Sequence, residues 1–81
     1  SSPAGWPDVA KEWLNPETLM RRIEWMRALA AKLPRSVKPE ELFADTIEAV
    51  ASKQTKFWVK AAPSAEEAIA LILASPEFQR R

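Results

Sequence analysis

The stretch from Asn15 to Leu33 has both ends marked and an apolar surface too wide for a single neighbour, and this combination restricts the folds open to the chain. Asn15 is a good N-cap, Pro16 suits the first helical position, where its missing N–H costs nothing, and Glu17 puts negative charge beside the positive end of the helix dipole. Leu33 precedes Pro34, which disfavours helical backbone at the residue before it and predicts the stop. Between these ends Leu19, Ile23, Met26, Ala30 and Leu33 recur at helical spacing along one face. Met20 flanks that line on one side, with Trp25 and Leu29 on the other. An arc covering more than half the circumference predicts a long helix around which the rest of the domain wraps.

Size decides how the remaining residues must be used. Eighty-one residues make one domain at most, near the lower limit at which a single core offsets chain entropy, so nearly every large apolar side chain is needed inside. Four Trp, three Phe and 47% hydrophobic residues supply that core, while 28% charged residues supply a soluble surface. No apolar run reaches the length of a membrane span, and no signal-peptide pattern is visible. The chain has no His and no Cys, which removes imidazole bases, thiolates, disulfides and the usual zinc ligands. A net charge of +1 argues against a strong electrostatic commitment to nucleic acid, and one Gly is too few for a phosphate-cradling loop. No cofactor and no metal are expected. The opening Ser1-Ser2-Pro3, without Met, leads us to expect a fragment of a longer protein.

The other elements follow in chain order. Trp6 and Trp13 are the anchors of the segment before Asn15: their indoles could stack on bases or sugars, but so small a domain has more use for them as packing against the central helix. Pro39-Glu40-Glu41 opens a second helix expected to run to about Ser52, with Leu42, Phe43, Ile47, Val50 and Ala51 on its apolar face. Glu41, Asp45 and Glu48 are spaced to share the opposite face. They resemble a carboxylate pair for hydrolysis, yet one exposed helix face makes no cleft, and a solvated surface is the simpler expectation. Thr55 is the expected cap of a short helix carrying Phe57, Trp58, Val59 and Ala62; a strand over Lys56 to Lys60 is the competing assignment, and it would lack a partner. Lys53, Lys56 and Lys60 beside these aromatics invite a nucleic-acid reading, weakened because Phe57, Trp58 and Val59 are wanted in the core.

Ser64-Ala65-Glu66-Glu67 has the form of a capping box, and the helix it opens is apolar on nearly all sides from Ala68 to Ala74. Its Ile69, Ile72 and Leu73 are expected to meet Leu19, Ile23, Met26 and Ala30 in the principal helix contact. Ser75-Pro76-Glu77 repeats the cap, Pro, acid order of Asn15-Pro16-Glu17 and predicts a last helical turn that tucks Phe78 inward and leaves Gln79, Arg80 and Arg81 in solvent.

Two pieces, Gly5-Trp6-Pro7-Asp8 with Trp13-Leu14-Asn15-Pro16, and the run from Ala70 through Ser75-Pro76-Glu77-Phe78-Gln79-Arg80-Arg81, resemble the C-terminal region of the bacterial domain-of-unknown-function 1800 family. The resemblance spans nearly the whole chain. Family members are long, mostly helical bacterial proteins, many with export signals and none with an established activity. The resemblance therefore implies a C-terminal domain of an exported or cell-envelope protein, and it carries over no functional residue.

The expectation is thus an all-α fold, a compact bundle of four to five helices with no sheet, forming one domain over residues 1–81. Its expected role is non-catalytic packing or interaction, with the upstream region of the same protein as partner, no metal and no membrane insertion. Trp6, Trp25, Trp58, Arg21 and Arg22 are the candidate interaction surface. Two alternatives stand beside this: that carboxylates or arginines here, Arg21 and Arg22 foremost, complete an active site built by upstream residues, and that the chain is a small nucleic-acid-binding domain.

Overall fold

The computed structural model describes residues 16–80, and these fold as five helices with no strand among them. They are α1 (Pro16–Lys32), α2 (Pro39–Thr46), α3 (Lys53–Ala61), α4 (Ala65–Ala74) and α5 (Pro76–Gln79). The all-α bundle expected from periodicity is therefore the fold. Trp6, Trp13, the Asn15 cap and Arg81 lie outside the described residues.

The centre of the fold is α4 and not α1. Every other helix packs on α4, and its pairing with α1 is the most extensive. Ala68, Ile69, Ala70, Ile72 and Ala74 are buried, Ile72 completely. The expected contact between these two helices is present, but the expectation that the domain wraps α1 is corrected. In α1 only Ala30 is buried, while Leu19, Ile23 and Met26 are half-buried. Length explains the difference: at 1.5 Å per residue the 17 residues of α1 reach about 25 Å, and the 10 residues of α4 about 15 Å. The shorter helix, apolar on nearly all sides from Ala68 to Ala74, is largely enclosed by its neighbours. The longer one has more apolar surface than α4 can cover.

A second correction concerns the middle of the chain. α2 ends at Thr46, well short of Ser52, because Ile47 turns inward and is completely buried. The Ile47 carbonyl accepts from the N–H groups of Val50 and Ala51, closing a turn where a continued helix would run. That turn frees Ser52 to cap α3: its hydroxyl accepts from the Thr55 N–H at 3.1 Å. Ser52, and not Thr55, is the cap. Thr55 lies in the first turn with its side chain completely buried. Residues 53–61 are helical, so the competing strand assignment is not realised.

At α4 the Ser64 hydroxyl accepts from the Glu67 N–H at 3.1 Å, the expected half of a capping box. The reciprocal half gives way to a tertiary ion pair, since the Glu67 carboxylate meets Arg27 of α1 at 2.9 Å. Both side chains are substantially exposed, so this pair orients α1 on α4 more than it stabilises the contact.

Candidate functional site

The densest polar cluster joins α3 to α5. Helix N-termini leave backbone N–H groups without partners and favour negative charge, and α1, α2, α4 and α5 each carry an acid in the first turn. α3 has none, starting Lys53-Gln54-Thr55-Lys56. Glu77 of α5 supplies the missing charge. One of its carboxylate oxygens accepts from the Ser52 N–H at 2.9 Å, and the Thr55 hydroxyl donates toward both oxygens at 2.9 and 3.0 Å. The Ser52 hydroxyl donates in turn to Thr55 Oγ1 at 3.2 Å. Glu77 is only 8% exposed, and among the described residues it has no ion-pair partner, so these donors replace its water. The cluster is a helix cap assembled from two distant parts of the chain, and its chemistry is structural.

The opposite end of α4 is closed as completely. Ser75 Oγ donates to the Ile72 carbonyl at 2.7 Å and accepts from the Phe78 N–H at 3.2 Å, ending α4 and starting α5 with one buried hydroxyl. The Gln79 amide donates to the Leu73 carbonyl at 2.7 Å, and Arg22 of α1 donates to the Ala74 carbonyl at 3.1 Å. Ser75, Glu77 and Gln79 thus each have a defined bonding task, and Phe78 is half-buried. Gln79 is exposed as expected, yet its side chain is held to α4.

The remaining surface candidates separate into two sets. Trp25 is 75% exposed, and Leu29 and Leu33, each four residues further on, are exposed with it, so that one stripe faces outward. Leu33, expected on the inward line with Ala30, is corrected to this stripe because it lies just past the end of α1 at Lys32. Arg21 and Arg22 both line a shallow groove of about 300 Å³ with Thr18, Trp25, Met26 and Gln79. Within it Arg21 is paired with Glu17 at 3.2 Å on the surface, and Arg22 is engaged with α4. Trp58 is 41% exposed and stacks edge to face on exposed Phe57, ring centres 5.7 Å apart. It belongs to a different concavity, of about 290 Å³, whose wall includes Leu19, Ile23, Pro63 and Leu71. The structure therefore brings Trp25, Arg21 and Arg22 together and sets Trp58 apart; Trp6 lies outside the described residues.

The three carboxylates of the hydrolase alternative do not share a helix face. Glu41 and Asp45 project from α2 and are exposed, but Glu48 falls beyond the end of that helix. Among the described residues no group of three or more acids is placed to hold a metal ion, and no helix is long and apolar enough to cross a membrane. Neither Glu77 nor Thr55 stood out in the sequence as part of a cluster. The usable signal was the basic, acid-free start of α3, which calls for a carboxylate from elsewhere.

Residues 1–80 match the family model described as "Protein of unknown function (DUF1800)", and the chain belongs to that family. No curated protein and no solved structure matches the chain.

Proposed function

We propose that the chain is a non-catalytic packing or interaction domain of a larger, exported bacterial protein, and that it docks on the upstream region of that protein through α1. The observation that carries this reading is the outward stripe of Trp25, Leu29 and Leu33. Large apolar side chains in a line on a stable helix lose free energy by staying in water, roughly 25 cal/mol for each Å² left uncovered. A domain this small has strong reason to bury them internally, yet its principal helix pairing leaves them outside. The buried polar side chains point the same way, since Ser75, Thr55 and Glu77 are all engaged in closing helix ends.

The test is calorimetric titration of the chain with the separately produced upstream region. Saturable binding that Trp25→Ser and Leu29→Glu together weaken at least about tenfold, equivalent to about 1.4 kcal/mol, is the expected result. Absence of binding at high concentration would remove this reading.

One observation favours the active-site alternative enough to keep it: Arg21 and Arg22 line the same groove with Trp25. If that groove holds an anionic group, Arg21 is the free hand, since its bond to Glu17 is exposed and readily exchanged. Phosphate titration of the chain joined to its upstream region, with and without Arg21→Ala, decides between the two.

A further inference from the structure

A third concavity, of about 860 Å³, lies between α2 and α3 over the start of α4, and it shares no residue with the α1 stripe. Its lining includes an apolar set, with Phe43 and Val59 half-buried, Ala68 buried and Ala65 exposed. Its two walls carry opposite charge. Glu40 in the first turn of α2 and Glu48 just past its end bracket one side, while Lys56 and Lys60, one turn apart on α3, line the other. Among the described residues none of the four has an ion-pair partner, so no salt bridge closes the groove.

We infer that this groove is a docking site for an amphipathic helix with an apolar face, basic residues along the flank that meets Glu40 and Glu48, and acidic residues along the flank that meets Lys56 and Lys60. Charge complementarity specifies the flanks. The walls specify the form of the occupant, because α2 and α3 use their backbone groups internally and offer no edge on which an extended peptide could add a strand. Their 8 and 9 residues give a groove about 12 to 14 Å long, which suits two turns of helix anchored at i, i+3 or i+4, and i+7. A wholly acidic or wholly basic partner would gain at one wall what it lost at the other. The same opposition interrupts the basic face that nucleic acid would need, since Glu40 and Glu48 line the groove together with the lysines.

Three synthetic helical peptides with an identical Leu and Ala apolar face test this on the intact chain: one with Lys on one flank and Glu on the other, one with Glu on both, one with Lys on both. Binding is read by fluorescence polarisation and located by amide shifts of Phe43, Val59 and Ala65. The mixed peptide should bind about tenfold tighter than either single-charge peptide, and the advantage should fade as salt is raised. Both lysines are exposed, so Lys56→Glu with Lys60→Glu should fold normally and transfer the preference to the Lys-flanked peptide. Equal affinity for all three peptides overturns the inference, as does the absence of a saturable shift with any of them. Preferred binding of a DNA oligonucleotide at the same amides overturns it too, as does self-association of the chain through that face. If peptides bind here while the upstream region does not bind at all, the packing role is lost and the groove stands; the reverse pattern leaves the α1 interface and removes the groove.

Discussion

α1 and α4 both carry broad apolar surfaces and pack on one another, and they end in opposite states. α4 has Ile69 and Ile72 buried, Leu71 and Leu73 half-buried, and its ends closed; α1 has Ala30 buried and a row of apolar side chains in water. Breadth of apolar surface does not by itself earn burial. What counts is how much partner surface is within reach, and a helix of about 15 Å can be enclosed by short neighbours where one of about 25 Å cannot. α4 belongs to the interior of this domain, while part of α1 is a surface with an interior's composition.

The contrast is most sharply tested by Ile72→Asp. An unpaired carboxylate in that fully buried position costs more than the roughly 5 kcal/mol a domain of this size commands, so the variant should be unfolded by circular dichroism at room temperature. Next comes Glu77→Ala, which leaves the Ser52 N–H and the Thr55 hydroxyl without their acceptor. A loss of about 2 to 4 kcal/mol is expected by urea titration, with hydrogen exchange accelerated first at the start of α3. Leu29→Glu, a comparable insult on the outer face of α1, should shift stability by about 0.5 kcal/mol or less while reducing dye binding to exposed apolar surface. A melting shift as large as that of Glu77→Ala would mean that the stripe is covered within the domain, and the contrast between the two helices would collapse. The smallest effect belongs to Glu66→Ala, an exposed acid in the first turn of α4, where a few tenths of a kcal/mol from the helix dipole are at stake.

Much of the fold was legible because its punctuation is local. Ser64 and Ser75 announce helix starts within three residues of the N–H groups they bond, and Pro34 and Pro39 bound the linker after α1. Periodicity points to α1 as the centre of the bundle and misses α4, because it describes a helix's own surface and says nothing of what is available to cover it. The end of α2 was misplaced for a related reason: Leu42, Phe43, Ile47, Val50 and Ala51 fit one helical face, but Ile47 gains more by turning into the core than by continuing it. Of the candidate surface residues, Trp25 is 75% exposed although its place in the apolar arc of α1 predicts cover, and Arg22 is drawn to the Ala74 carbonyl by packing that no local pattern reveals. Glu77 was visible as an acid suited to its own helix. Its actual target lies 25 residues back, beyond the reach of any sequence window used for caps.

That separation also sets a schedule. A chain synthesised from its N-terminus makes Ser52 and Thr55 well before Glu77, and at roughly 5 to 20 residues per second the 25 residues added after Ser52, Glu77 included, take about one to five seconds. A short helix forms and melts within about a microsecond, so α3 would coil and uncoil on the order of a million times before its carboxylate is made. The middle of the domain therefore waits on a residue added later, and Glu77 marks the moment at which α3 stops fraying.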